Sequence, residues 1–138
     1  MREIKFRVFV DRGHIKDSYF HYFSSLECMI DWYHGSLSSE RYDEINSAQQ
    51  YTGLKDKNGK EIYEGDILDF TIENFKDENG KSYYFNNGIV FWEKSQAAWK
   101  IYVNDHRFFI GDTWLREIKG NIYENIELLL SHYRESDK

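Results

Sequence analysis

The chain has 138 residues, and its 24 acidic against 18 basic side chains give a formal net charge of -6. This length can build one hydrophobic core without disulfide or metal staples, and it excludes a large multi-domain enzyme. Aromatic residues make up 18% of the chain and proline is absent. We therefore expect a single domain spanning residues 1–138, with a core built largely from rings.

Cysteine use and hydropathy indicate a cellular setting. The single Cys28 cannot form an internal disulfide, which fits a reducing compartment. The first ten residues alternate charged with apolar side chains and contain no apolar run typical of a signal peptide. No stretch approaches the roughly 20 apolar residues needed to span a bilayer. These observations predict a cytoplasmic protein without membrane contact.

The N-terminal segment predicts a β-hairpin. Ile4, Phe6, Val8 and Val10 alternate with charged residues, the period-2 pattern of a half-buried strand whose other face carries Lys5 and Arg7. A turn is expected at residues 11–13, and an aromatic run over residues 15–23 is expected to return antiparallel.

One amphipathic helix is predicted at about residues 25–34. Ser24 precedes Glu27 by three residues, as in a capping box, and Gly35 is expected to end the helix. We expect Cys28 to lie beside the buried stripe as a small core residue. A polar loop over residues 36–46 is expected to lead into a short strand. The apolar stripe comprises Leu26, Met29, Ile30 and Tyr33.

After residue 48 the pattern changes to strands and turns. Asn-Gly dipeptides at 58–59, 79–80 and 87–88 predict chain reversals, because positive φ is favourable there. We expect antiparallel strands at 66–73, 83–93, 97–103, 106–110 and 118–123, in a sheet that curls into a small barrel or roll. The domain would then comprise N-terminal strands and a helix (1–47), a barrel portion (48–130) ending in a short helical turn, and a frayed tail (131–138).

Catalytic and metal-binding patterns are missing from the sequence. The five histidines lack metal-ligand spacing, and neither a serine nucleophile elbow nor a phosphate-binding loop is present. Asp105, His106 and Asp112 form the one local cluster of acids and imidazole, and a hairpin turn with solvated charges explains it better. We expect no enzyme activity, metal or cofactor; a concave cluster joining these three residues to another ionisable group would indicate an enzyme instead.

The aromatic surplus leaves two kinds of partner to weigh. Rings at Tyr83, Tyr84, Trp92, Trp99, Tyr102 and Trp114 could stack bases, but a phosphate-tracking groove needs clustered cations, and the lysines here are interleaved with acids. We therefore favour a protein partner, with self-association through strand edges that lack proline. A nucleic-acid binder, or an acidic decoy of a host DNA-binding protein, is the alternative. The candidate interaction residues are Trp92, Trp99, Tyr102 and Trp114.

Residues 50–67, QYTGLKDKNGKEIYEGDI, closely resemble the signature of the YopX family of phage and prophage proteins. Residues 2–7 resemble the family's N-terminal strand and residues 120–125 its C-terminal motif, whereas residues 11–47 are the least similar part. The resemblance implies a mainly β domain with an SH3-like barrel or roll, a phage origin and a location in the cytoplasm of the bacterial host. The resemblance does not indicate which biochemical activity the protein has.

The signature also has a physical interpretation as turn chemistry. Gly65 is expected to take positive φ just before a strand, and the carboxylate of Asp66 to accept a local backbone hydrogen bond. We therefore expect the motif residues to specify the fold rather than a binding site. They are Tyr51, Gly53, Leu54, Gly59, Tyr63, Gly65, Asp66, Gly120, Asn121, Tyr123 and Asn125.

Overall fold

The structure is a computed structural model that describes residues 4–11, 18–38, 44–45, 48–76 and 78–129, with backbone alone at 33–38, 44–45, 73–75 and 82. The chain forms two compact units, Met1–Gly53 and Leu54–Lys138. The predicted tail at 131–138 and most of the predicted turn at 11–13 lie outside the described residues. The assignment of the whole chain to one domain stays a prediction.

Strands dominate the described part of the chain, as the alternating sequence pattern predicts. Short 3-10 turns at Lys94–Gln96 and Ile110–Asp112 interrupt the later strands. The elements in chain order are β1 (Phe6–Asp11), β2 (Tyr19–Phe23), α1 (Leu26–Ser38), β3 (Glu44–Ile45), β4 (Gln49–Lys55), β5 (Glu61–Tyr63), β6 (Asp66–Lys76), β7 (Ser82–Glu93), β8 (Ala98–Val103), β9 (His106–Phe109) and β10 (Thr113–Asn121).

The predicted N-terminal hairpin is present. In the first sheet, of strand order β2-β1-β4-β5 with β3 beside β1, strand β1 pairs antiparallel with β2. The prediction that Arg7 faces solvent is wrong. Arg7 is buried and donates from Nε to Gln49 Oε1 at 2.7 Å, and its guanidinium lies 4.2 Å from the ring centre of Phe20. Both faces of β1 are therefore covered, and Ile4, predicted to be buried, is exposed.

Helix α1 departs from the sequence prediction at both ends. The Ser25 hydroxyl, not that of Ser24, accepts a hydrogen bond from the Cys28 amide at 3.2 Å, so Ser25 is the cap. The helix continues through Gly35 to Ser38, because one glycine costs a helix only about 1 kcal/mol relative to alanine and does not by itself end it.

The buried face of α1 is also narrower than the predicted stripe. Met29 packs with buried residues of β1 and β2, and Trp32 contacts the same cluster. Leu26, Ile30 and Cys28 are exposed, whereas Met29 and Trp32 pack toward the strands; the side chain of the fourth predicted stripe residue, Tyr33, lies outside the described part of the helix. Cys28 is therefore not a core residue.

The second sheet has the strand order β10-β6-β7-β8-β9, is antiparallel throughout and curls into a half-barrel. Its inner face carries the larger core. The buried members of that core are Ile62, Leu68, Phe70, Ile72, Phe85, Val90, Trp99, Ile101, Val103 and Ile110.

Two of the three Asn-Gly dipeptides form reversals, with φ of +83° at Gly59 and +80° at Gly80. The third does not: Asn87-Gly88 lies inside β7, at a bulge. Asn87 takes φ +60° and donates its backbone N–H to Asp69 Oδ1 at 3.0 Å. A Cβ on Gly88 would lie 2.4 Å from Ile101 Cγ2, so glycine is needed there for close packing rather than for a turn.

The predicted fold class is confirmed: the chain is mainly β and antiparallel, with α1 and a short C-terminal helical turn in which the Leu128 amide donates to the Asn125 carbonyl. The last strand begins at Thr113, five residues before the predicted start, because a bulge after Trp114 breaks the alternation by which it could be recognised. In the described part of the chain, no helix has the length and apolar character needed to cross a membrane.

Candidate functional site

An open groove of about 480 Å³ lies on the second sheet, lined by outer-face residues of β7, β8 and β9 together with Trp92 near the end of β7. Ile89, Tyr102 and Arg107 are paired in a row across β7, β8 and β9, while Val90 and Ile101, one position along, point to the core. The residues that line the groove are Ile89, Phe91, Trp92, Glu93, Lys94, Ser95, Tyr102 and Arg107.

Glu93 organises the charges of the groove. Its carboxylate forms ion pairs with Lys100 Nζ at 2.7 Å and with Arg107 Nη1 at 3.0 Å. The hydrogen bond from Lys100 is the main reason why the pKa of Glu93 lies below its usual range; burial opposes this shift, and Arg107 adds to it. Lys100 is buried and its Nζ lies 4.4 Å from the ring centre of Phe109.

The groove consequently presents positive charge on an acidic protein. Glu93 neutralises the buried Lys100, while the Arg107 side chain is 59% exposed and Lys94 is exposed beside it. The nearby carboxylate of Asp105 accepts a hydrogen bond from the Tyr102 hydroxyl at 2.8 Å. The arrangement combines apolar and aromatic walls with two accessible cations, a combination suited to binding.

The hairpin tip between β4 and β5 is built around a single carboxylate. Asp56 is 7% exposed; its Oδ1 accepts hydrogen bonds from the amides of Asn58 and Lys60, both at 2.9 Å, and its Oδ2 accepts one from Ile118 at 3.1 Å. The Lys57 amide also donates to the Arg116 carbonyl at 2.7 Å. The tip is therefore fastened to β10, about 60 positions away in the sequence.

The Gly-Asp corner before β6 has the geometry that its sequence predicts. Gly65 has φ +86°, its amide donates to the Val90 carbonyl, and its own carbonyl accepts from Ile122, both at 2.9 Å. The buried Asp66 accepts a hydrogen bond from the Tyr63 amide at 2.8 Å. This corner joins β7, β6 and the segment that follows β10.

The turn that follows β10 is held by hydrogen bonds to side chains. Asn121 Oδ1 accepts from the amides of Tyr123 and Glu124, and the Asn121 amide donates to Asn125 Oδ1 at 3.2 Å. Gly120 has no room for a side chain, since a Cβ there would lie 2.4 Å from Asn125 Oδ1. These contacts close the turn on itself.

The hairpin, the corner and the C-terminal turn are the parts of the chain in which the sequence resembles one family. A family model described as YopX protein matches residues 5–130 of the 138. The chain belongs to the YopX family. None of the curated proteins compared with it matches. In this YopX-family chain the three motifs thus lie where backbone hydrogen bonds tie distant segments together.

The remaining motif residues of this YopX chain also lie in or beside strands. Tyr51 is buried in β4 and its amide donates to the Lys5 carbonyl at 2.8 Å, Gly53 takes φ +89°, and Leu54 packs partly against the core of the second unit. The groove includes none of the predicted motif residues. Their designation as family signature residues stays a prediction.

The four aromatic residues proposed from the sequence for interaction do not form one surface. Trp92 and Tyr102 come together in the groove, each 39% exposed. Trp99 is buried in the core with its ring centre 5.0 Å from that of Trp92, so it supports the groove rather than lining it. Trp114 lies on β10 at the other edge of the sheet.

Asp105, His106 and Asp112, which are close together in the sequence, each have a different environment in the structure. Asp105 accepts the Tyr102 hydroxyl, the His106 ring stacks at 5.8 Å on Phe108, and Asp112 is exposed in the 3-10 turn before β10. Within the ranges that the structure describes, no group of three or more His, Cys, Asp or Glu side chains could hold a metal ion.

The sequence did not identify the charged part of the groove. Glu93, Lys100 and Arg107 are ordinary charged residues in separate strands, and only the register of β7, β8 and β9 brings them together. A charged residue such as Lys100 within an otherwise apolar run is the one signal that a buried ion pair was present.

Proposed function

We propose that this YopX-family chain is a non-enzymatic protein-interaction module that binds a protein partner through the groove. The observation that carries the proposal is that Trp92, Tyr102 and the exposed Arg107 line the same open groove. Trp, Tyr and Arg are the residue types that most often dominate the binding energy of protein interfaces.

Two side chains that line the groove are also already restrained by contacts within the chain. The ion pair with Glu93 restrains Arg107, and the hydroxyl bond to Asp105 restrains Tyr102. Side chains that are already ordered lose less conformational freedom when a partner binds. Glu93, Asp105 and His106 are engaged in these and similar contacts, which supports a binding rather than a catalytic role.

The biological setting belongs to the same proposal. We take the chain to be a phage or prophage accessory protein acting in the cytoplasm of a bacterial host, as the resemblance implies, with either a host protein, a phage protein or a second copy of itself as partner. No cofactor is part of this proposal.

The test is affinity capture of the tagged chain from phage-infected host lysate, with and without nuclease. Tyr102→Ala is expected to lose captured proteins that the unchanged chain retains in both arms. Tyr83→Ala is the matched control, because Tyr83 has a similar exposure in the same sheet but does not line the groove. Equal capture by all three chains would contradict the proposal.

A nucleic-acid-related role is the second candidate. The observation that favours it is the presence of two exposed cations, Lys94 and Arg107, and two exposed aromatic residues, Tyr102 and Phe109, in the same part of the second sheet. Two accessible cations would neutralise few phosphates, so binding of single-stranded nucleic acid would be weak and would have a shallow salt dependence. The acidic-decoy version rests on the net charge of -6 and would be indicated by nuclease-resistant capture of a basic host protein.

A further inference from the structure

The outer face of the second sheet carries an apolar ridge at the edge opposite the groove. Trp114 and Tyr84 both pair with Thr71, one from each side, so they lie on the same face with strand β6 between them. Both side chains are 54% exposed, and the next residue, Leu115, is 64% exposed. We call Tyr84, Trp114 and Leu115 the ridge.

One ridge residue, Leu115, has an unfavourable backbone conformation. Leu115 has φ +51°, a left-handed value that a bulky side chain rarely adopts. It lies in the irregularity of β10 between Trp114 and Glu117. Bulges of this kind redirect side chains, and a steric outlier that persists in a folded chain points to a role for the exposed residues.

The segment around the bulge is firmly anchored. Arg116 Nη1 donates to the carbonyls of Ile110 and Thr113 at 3.2 and 2.9 Å, and Nη2 reaches the Lys55 carbonyl at 3.5 Å. Ile118 on the other side is held by Asp56. The exposed pair Trp114 and Leu115 therefore projects from a rigid base, which lowers the entropy lost on binding.

The groove and the ridge are complementary in charge and share an apolar character. The groove is open and lined by apolar and aromatic groups beside its charged residues, and the ridge is a set of exposed, mostly apolar side chains. Exposed Asp112 lies two residues before Trp114, while exposed Lys94 and Arg107 line the groove. Because β10 and β9 are the opposite edges of one sheet, a chain cannot place its own ridge in its own groove without breaking that sheet.

We propose that the occupant of the groove is the ridge of a second copy of this chain. This inference rests on the proposed function of the groove and names its partner. Each copy offers one ridge and one groove, so the contact is head-to-tail unless two copies exchange both contacts in a closed dimer. Asp112 then approaches Lys94 and Arg107 of the neighbouring copy.

The first measurement is sedimentation of the full chain across a concentration series. The unchanged chain is expected to exceed its monomer mass of 16.7 kDa as concentration rises. Trp114→Ala is expected to weaken this association about thirtyfold, the effect of removing one hot-spot aromatic residue. A chain that stays monomeric throughout overturns the inference, and the proposed function then stands or falls on its own capture experiment.

Leu115→Asn separates binding from folding. Asparagine tolerates positive φ, so this variant is expected to melt at or above the temperature of the unchanged chain while its self-association falls. A variant that melts as expected but associates like the unchanged chain would exclude Leu115 from the interface. Tyr83→Ala, outside both surfaces, is expected to leave self-association unchanged.

A mixing experiment tests the pairing itself. The ridge variant Trp114→Ala and the groove variant Arg107→Glu are each expected to sediment mainly as monomers. Mixed in equal amounts, they are expected to form one-to-one heterodimers, because one intact ridge and one intact groove remain between them. Association of both variants alone, or no association in the mixture, overturns the ridge-in-groove contact.

Discussion

Replacing Asp56 tests whether the hairpin tip is a structural fastening. Asp56→Ala removes three hydrogen bonds to a carboxylate, each of which contributes roughly 1.5–3 kcal/mol. The amides of Asn58 and Lys60 lie at an exposed tip and regain water, whereas the amide of the half-buried Ile118 is left without its acceptor. The three bonds sum to about 4.5–9 kcal/mol, but because two of the three amides regain water we expect the free energy of unfolding to fall by only about 3 kcal/mol.

Urea denaturation at neutral pH, followed by tryptophan fluorescence, measures this loss, since Trp92, Trp99 and Trp114 all lie in the second unit with the tip. Asp112→Ala is the matched control, because Asp112 is exposed and its removal is expected to leave the free energy of unfolding unchanged. Equal stability of Asp56→Ala and the unchanged chain would refute the fastening.

The pH dependence supplies an independent check. Burial alone would raise the pKa of Asp56, but hydrogen bonds from the amides of Ile118, Lys60 and Asn58 outweigh it and hold the pKa below its ordinary value of 3.8. A carboxyl whose pKa is lowered by folding stabilises the protein above its unfolded pKa, and this contribution is lost as pH falls through the folded pKa. The stability difference between the unchanged chain and Asp56→Ala should thus shrink below pH 3.8; a constant difference would contradict the charge-assisted bonds.

Three further substitutions test other contacts. Gly65→Val is expected to cost several kcal/mol through strain at φ +86°, and an unchanged melting temperature would contradict it. Gly120→Ala is expected to lower the melting temperature by displacing Asn125, and to cost much less when combined with Asn125→Gly; equal costs in both backgrounds would exclude the clash. Glu93→Gln is expected to destabilise the chain by leaving the buried Lys100 without its anion, and acid titration should show the stabilisation by Glu93 above its ordinary pKa of 4.5 disappearing as pH falls.

Much of the fold could be predicted from periodicity, because the inner-face residues of β7 and β8 are apolar at every second position and the turn residues are unambiguous at Gly59 and Gly80. The Gly-Asp corner was predictable for the same local reason. A glycine followed by an aspartate is typical of a corner with positive φ at the glycine and a backbone hydrogen bond to the carboxylate. Gly65 and Asp66 form such a corner in the structure.

The failures share a different physical origin. Asn87-Gly88 has the composition of a hairpin turn, but Asp69 on the neighbouring strand satisfies the Asn87 amide and the close approach of Ile101 requires Gly88. Arginine is a residue type that usually faces solvent, but Arg7 is buried because Gln49 provides an acceptor for its guanidinium group. In each case a residue distant in the sequence decides the outcome.

The groove could be anticipated only in part. Trp92 and Tyr102 are two of the four candidate interaction residues, whereas the charge pattern depends on Glu93, Lys100 and Arg107 coming into register across three strands. Of the ridge residues, the sequence singles out Trp114 as a candidate for interaction and Tyr84 as a ring that could stack bases, but no local pattern predicts positive φ at Leu115.

The strand order of the second sheet has a consequence for the order of synthesis. The four strands β6 to β9 follow one another in the chain and can pair as they emerge from the ribosome, but β10 emerges last and pairs with the first of them. Until it arrives, β6 is an open edge with unpaired backbone groups, and the tip around Asp56 has no strand to bind. A nascent chain halted shortly before residue 113 would therefore be the species most prone to aggregate.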